Sequence, residues 1–193
     1  SAQRSAILST MTVPDDPIYK EFQWGVRKIG MEAVWDVTTG SPDVIVAVLD
    51  TGVDEAHPDL EPNVIDGYDF VNDDPDAWDD SSHGTHVAGV IAAVGDNDEG
   101  TAGMTWRSKI MPIKVLDAKG LGPDAAVSKG IIYAVENKAR IINLSSGTPY
   151  QSRLLDEAVR FAERRGVLVV AAAGNTGDKG NEVIYPAAYS TVM

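Results

Sequence analysis

Cysteine is absent from the 193 residues, which excludes disulfides, thiolate nucleophiles and cysteine-based zinc sites. No apolar run approaches the ~20 residues that span a bilayer, so no membrane partner is expected. No leader with a charged head and an apolar middle is visible. Cations are in the minority: 16 Lys and Arg stand against 29 Asp and Glu, for a net charge of -13. That balance argues against nucleic acid, whose phosphates need cationic partners. It suits bound cations, or a surface kept soluble by repulsion. Repeats, low-complexity tracts and linkers are also missing, and the length suits one domain. Ser1 stands where an initiator Met would, which implies a processed or artificially chosen start.

What is present alternates between two periods. Residues 1–13 carry no clear pattern and read as an arm or the remnant of a removed segment. Regular structure is expected from Val26, where VRKIGMEAVWDV has apolar residues at helical spacing. DVIVAVLD (43–50) is a β-branched run that reads as a buried parallel strand. Small residues in HGTHVAGVIAAV (83–94) read as a helix, and KIMPIKVL (109–116) as a strand. A helix follows over 124–138, with Pro123 at its first turn, then a strand over 140–145. SRLLDEAVRFAERRG (152–166) is an amphipathic helix closed by Gly166, and VLVVAAAGN (167–175) is again a strand. This rhythm predicts an α/β, three-layer fold with a mainly parallel central sheet. The loop DFVNDDPDAWDD (69–80) is the one compositional anomaly. YPAAYSTVM (185–193) reads as a β-like approach with no closing element, so the fold is expected to be incomplete at its C-terminus.

In an open parallel sheet, functional groups gather beyond the carboxyl ends of the strands. Asp50, Ser145 and Asn175 each follow a predicted strand there, and His83 opens a predicted helix beside Gly84. An Asp, a His and an Asn at one edge suggest an orienting carboxylate, a general base and an oxyanion donor. The structural alternatives are a turn cap at Asp50, a helix cap at His83 and a left-handed turn at Asn175. His57 and His86 read as structural. An H-x-x-H pair does not have the zincin spacing.

DTGVDEAHPDL (50–60), HGTHVAGVIAA (83–93), INLSSG (142–147) and AAAGN (171–175) together resemble the signature blocks of subtilases, in that family's order and approximate spacing. The resemblance runs from about Asp16 to residue 193, leaving residues 1–15 as an arm or pro-segment remnant. It is strongest towards the calcium-rich bacterial subtilisins and their thermitase-like branch. It implies a subtilisin-like fold and a secreted serine endopeptidase that acts on proteins or peptides through an acyl-enzyme. It makes Asp50 the triad carboxylate, His83 the base and then acid, and Asn175 the oxyanion donor. It places Gly120, Leu121 and Gly122 on one side of an extended peptide and Ser145, Ser146 and Gly147 on the other. Ala172, Ala173 and Gly174 would wall the pocket for the residue before the cut. Ile184 falls at the pocket floor, where many relatives have Gly or Asn, and should make it shallow and selective for small or medium apolar side chains. Asp124 stands where some subtilisins have Tyr.

The nucleophile departs from the pattern. The family order is Asp, His, Ser, with the Ser in a G-T-S-M-A block. No such block occurs in these residues, and Ser146 belongs to the substrate strand. The resemblance therefore implies a companion C-terminal fragment carrying the Ser, a truncation, or a homologue lacking the segment. A propeptide is a further partner the family implies. The rival readings are an inactive fragment that binds peptide and calcium, and a nucleotide-binding domain. The second is weakened by the absence of a phosphate-loop motif.

The resemblance also implies calcium. Asp16, Asp59, the Asn97 side chain and the backbone carbonyls of Val94, Glu99 and Thr101 would form one shell of hard oxygens, with Asp96 and Asp98 as alternatives in the same loop. Asp69, Asn72, Asp74 and Asp76 would form a second. The bland alternative for both is a solvated acidic turn.

Overall fold

A computed structural model describes residues 12–193. The proposed arm over residues 1–15 thus lies mostly outside the described residues. Regular structure begins earlier than Val26, and not as one helix. Three short helices occupy Tyr19–Phe22 (α1), Trp24–Lys28 (α2) and Met31–Trp35 (α3). Gly30 breaks the run at φ 78°, a left-handed conformation that glycine adopts freely. Apolar spacing alone does not reveal such a break. These helices pack around Tyr19, Val26, Trp35 and Trp106.

The remaining order is β1 (Ile45–Asp50), β2 (Tyr68–Asp69), α4 (His83–Ala92), β3 (Lys109–Lys114), α5 (Asp124–Glu136), β4 (Ile141–Leu144), α6 (Arg153–Arg164) and β5 (Leu168–Ala171). The sheet is parallel throughout, in the order β2-β3-β1-β4-β5. The two-residue edge strand β2 was not legible in the sequence because it lies inside the acidic loop. Pro123 caps α5 from outside and does not enter its first turn. Ser152 caps α6, its hydroxyl accepting the Leu155 N–H at 3.2 Å. Gly166, at φ 74°, closes it. Residues 185–193 form turns between two strand-like contacts: Tyr185 bridges to Thr148, and Met193 exchanges two backbone hydrogen bonds with β5 at 3.0 Å each.

The central strands are buried on both sides. Ala47 and Leu49 of β1 pack with Ile113, Ile142 and Leu144 under α5 and α6. Val46 and Val48 face the other way, towards Val53, Leu60 and the small residues Ala88 and Ala92 of α4. A Cβ at Gly84 would overlap the Gly52 carbonyl, so glycine lets α4 approach the end of β1. The layers are thus α4, sheet, and α5 with α6. On the α4 side the helix packs mainly over β1 and β3, with Ile141 of β4 at the margin. Register places Ile141, Asn143, Leu168 and Val170 on that same side. They are half-buried or exposed, with Leu168 at 41%.

Candidate active site

Parallel register brings several predicted residues to one edge. Leu49 pairs with Leu144 and Leu144 with Ala171. Asp50, Ser145 and Ala172 therefore stand level, one residue beyond. Asp50 is fully buried. His83 starts α4 directly over it, with Nδ1 at 2.7 Å from Asp50 Oδ1. The His83 side chain is 52% exposed, and Nε2 makes no hydrogen bond among the described residues. An imidazole held by a carboxylate at one nitrogen and open at the other can take a proton from a nucleophile and pass it on.

Asn175 is exposed. It lies beyond β5, two strands from β1, or about 10 Å at the usual strand spacing. Among the described residues it makes no hydrogen bond to His83 or Asp50. The segments 120–122 and 145–147 follow β3 and β4, which flank β1. Among the described residues, the N–H groups of Ser145, Ser146 and Gly147 have no backbone partner, which leaves an edge able to accept an extended strand. Ser145 Oγ accepts from Asn143 Nδ2 at 2.9 Å.

Ile184 is pinned between two glycines. A Cβ at Gly174 would lie 2.8 Å from Ile184 Cγ1, and a Cβ at Gly147 would overlap Ile184 Cγ2. Its neighbour Tyr185 is paired with Thr148 through N–H donations of 2.8 and 2.9 Å. The exposed Ala172, Ala173 and Gly174 border this point. Asp124 is turned to accept the Ser152 hydroxyl at 2.5 Å.

Other functional-looking groups were not singled out by sequence. Asp79 and Thr51 bind the first turn of α4. Lys114, 2% exposed, donates to the Thr51 carbonyl and to Asp80 at 2.6 Å each. A lysine inside the apolar run KIMPIKVL was the available signal. His57 Nδ1 accepts the Asp59 N–H at 3.2 Å. With His86 it borders a cavity of about 890 Å³ on α4, also lined by Phe22, Trp78, Val90 and Met104. None of Asp50, His83 or Asn175 lines it.

The two predicted cation loops differ. Asp16 and Asp59 are 2% and 3% exposed. Asp16 Oδ1 is buried with no hydrogen-bond partner. Burial, foremost, pushes the Asp16 carboxyl above its usual range; hydrogen bonds from the Asp96 and Asp16 amides pull it down, and the charge of Asp59 adds to the rise. Asn97 Nδ2 donates to Asp59 Oδ1 at 3.1 Å. Among the described residues, the Val94, Glu99 and Thr101 carbonyls accept no backbone hydrogen bond. Two buried carboxylates, one of them with an orphaned oxygen, and three carbonyls free of backbone hydrogen bonds are the donor set a hard cation takes. Asp96 and Asp98 contribute their amides instead, to Asp16 and Asp15.

In the 69–80 loop the carboxylates serve the loop itself. Asp69 accepts from the Val71 and Asn72 amides and from Asn72 Nδ2. Asp74 accepts the Asp76 N–H and Asp76 the Trp78 N–H. Among the described residues, no three carboxylates or histidines converge to hold a metal. Local turns thus occupy some acceptors of the expected second shell of Asp69, Asn72, Asp74 and Asp76.

Comparison with known proteins agrees with the geometry. Residues 41–193 match the subtilase family. The chain belongs to the subtilase family. It is 41% identical over 192 residues to the thermophilic serine proteinase of Bacillus sp. (strain AK1), covering all of this chain and 47% of that protein. It is 41% identical over 180 residues to thermitase of Thermoactinomyces vulgaris, covering 93% and 63%. It is 43% identical over 181 residues to the major intracellular serine protease of Bacillus subtilis (strain 168), covering 90% and 56%. The chain thus spans roughly half to three-fifths of the subtilases it matches. The family does not carry the expected export, since relatives of equal identity are named intracellular. No described helix is long and apolar enough to cross a membrane.

Proposed function

We propose that this subtilase chain holds the base, its orienter and the oxyanion donor of a serine endopeptidase, and that the nucleophilic Ser comes from polypeptide outside these 193 residues. One observation carries the reading: the 2.7 Å contact from His83 Nδ1 to buried Asp50, with Nε2 free. Asp50 fixes the tautomer and stabilises the imidazolium. His83 takes the serine proton as Oγ attacks the peptide carbonyl, then delivers it to the leaving amine. Asn175 donates its side-chain amide to the oxyanion. Water, deprotonated by His83, releases the acyl group and regenerates the serine.

The open half of the sheet supports the missing segment. Asn143, Leu168 and Val170 lie on the α4 side of the sheet and are half-buried or exposed, so polypeptide seated there would lie on the same side as α4. The unpaired amides of 145–147 support binding of an extended protein or peptide substrate. Ile184 between Gly147 and Gly174 supports a pocket closed to large side chains. Asp16, Asp59, Asn97 and the carbonyls of Val94, Glu99 and Thr101 would hold one calcium ion. The ion would supply the positive charge that two buried carboxylates lack, and would tie residues 15–18 to the loop after α4.

The test is hydrolysis of a peptide library by the complete natural protein, with His83→Ala as control. Cleavage after small or medium apolar residues, lost in the variant, is expected. Binding without cleavage would favour an inactive subtilase that only holds peptide. Strong preference for Phe, Tyr or Lys before the cut would overturn the Ile184 reading.

A further inference from the structure

α4 begins without a cap of its own. Its N-cap residue Ser82 sits at φ 73°, and its side chain makes no capping hydrogen bond. The first-turn amides, which have no partner inside a helix, are met from elsewhere in the chain. Thr51 Oγ1 accepts the Gly84 N–H at 3.0 Å, and Asp79 Oδ2 accepts the Thr85 N–H at 2.9 Å.

Asp79 is the hub of this arrangement. Its Oδ1 accepts from the Thr51 hydroxyl at 2.8 Å and from the Ser81 and Ser82 amides at 2.9 Å each. Its Oδ2 also accepts the Thr85 hydroxyl at 2.6 Å. Five donors thus converge on one carboxylate that is only 9% exposed. Burial pushes the carboxyl up, but the bonds from Thr85, Ser81 and Thr51 outweigh it and hold the group below its usual range. So large an investment of donors exceeds what one helix end requires.

The bonded residues bracket the Asp50–His83 pair. Thr51 follows Asp50, and Ser82 precedes His83. The Thr51 N–H donates to Asp50 Oδ1 at 2.8 Å, the same oxygen that meets His83 Nδ1. Thr85 Oγ1 extends the link by accepting the Asp54 N–H at 2.9 Å. Lys114 holds the Thr51 carbonyl from the far side. Asp79 therefore joins the end of β1 to the start of α4 immediately behind the pair.

We propose that Asp79 is a positioning residue: through Thr51 and the first turn of α4, its carboxylate sets the distance and ring orientation of His83 against Asp50. The inference rests on the endopeptidase reading for its kinetic consequence, but not for its geometry. An amide at position 79 keeps the size yet turns two N–H donors towards groups that are themselves donors. The first turn and Thr51 must then part.

The test uses the complete protein and three variants: Asp79→Asn, Thr51→Val, which removes one donor to Asp79, and Thr51→Ser, which keeps the hydroxyl. Two readouts are taken well below each variant's melting temperature. The first is kcat and KM. The second is the downfield proton NMR signal of His83 Nδ1–H. Asp79→Asn should lower kcat by ~10- to 100-fold, the scale of a small misplacement of reacting groups, with KM within about threefold. The Nδ1 proton should move upfield or broaden. Thr51→Val should show the same changes to a lesser degree, and Thr51→Ser should restore them. A lower melting temperature with kcat and the proton signal unchanged would reduce Asp79 to a structural cap and overturn the proposal. If Asp79→Asn does not fold, the Thr51 pair decides by the same signal. If the wild-type protein cleaves nothing, the endopeptidase reading fails, and the response of the His83 proton still judges Asp79.

Discussion

Two pairs of buried carboxylates flank α4, and they solve the same electrostatic problem differently. At its start, Asp50 and Asp79 are met by hydroxyls and amides, and Asp50 also by an imidazole. At its end, Asp16 and Asp59 receive amide donors and no cationic side chain among the described residues. Each pair leaves one oxygen without a partner, Asp50 Oδ2 and Asp16 Oδ1. The first pair can borrow positive charge from His83 whenever it is protonated. The second has no such source, and burying unpaired charge is expensive. A reversible proton thus serves one end of the helix, and a resident ion would serve the other.

The largest expected effects fall on Asp50 of the first pair and on Asn175 beyond β5. Asp50→Asn should cut turnover by ~10⁴-fold, the scale seen when a triad carboxylate is neutralised, with the fold retained. Asn175→Ala should cut it by ~100- to 1,000-fold, a range measured for such a donor in this same family. Steady-state kinetics on one peptide compares the two.

The second pair is tested by ion removal. Calcium at ~100 times its dissociation constant should stabilise by about 2.7 kcal/mol, raising Tm by roughly 5–10 °C. Chelator should reverse this, and Asp59→Ala should abolish the response. The pH dependence has a definite sign. A carboxyl raised in the folded state binds protons that the unfolded chain has already lost. Without calcium, stability should therefore fall as pH rises from the ordinary Asp value through the raised Asp16 value. With calcium that loss should vanish. Asp79 has the opposite sign, its contribution being lost as pH falls below the ordinary Asp range. Thermal melts across pH 3–8, with and without calcium, separate the two.

Ile184→Gly should open the pocket to Phe and Tyr with little cost to small residues. A kcat/KM change of ~10- to 100-fold is expected for large side chains, near the value of the volume gained. The smallest effect sharpens the contrast between loops. Asp74→Ala should leave the calcium response unchanged and cost under about 1 kcal/mol, because Asp74 serves one local turn.

The fold was legible where period and composition agreed. The β-branched run ending at Asp50 and the small-residue helix from His83 read correctly because burial on both faces dictates those residues. The N-terminal helices did not, since Gly30 breaks an apolar periodicity that looks continuous. β2 was hidden because an edge strand of two residues leaves no pattern. At the site, motif order pointed to Asp50, His83 and Asn175; the start of α4 brings His83 onto Asp50, and Asn175 follows β5 four residues past its end. Asp79 and Lys114 were missed because a hub is defined by what converges on it, and convergence through residues 51, 79, 85 and 114 has no sequence period. The acids of 69–80 show the converse limit: composition records charge but not which local amides engage it.

The deciding property of the site is which hydroxyl His83 activates. Labelling the complete natural protein with a serine-reactive fluorophosphonate, followed by peptide mapping, reads this directly. The predicted outcome is a single modified serine outside residues 1–193, with modification lost in His83→Ala. Modification at Ser145 or Ser146, or equal labelling without the imidazole, would contradict it.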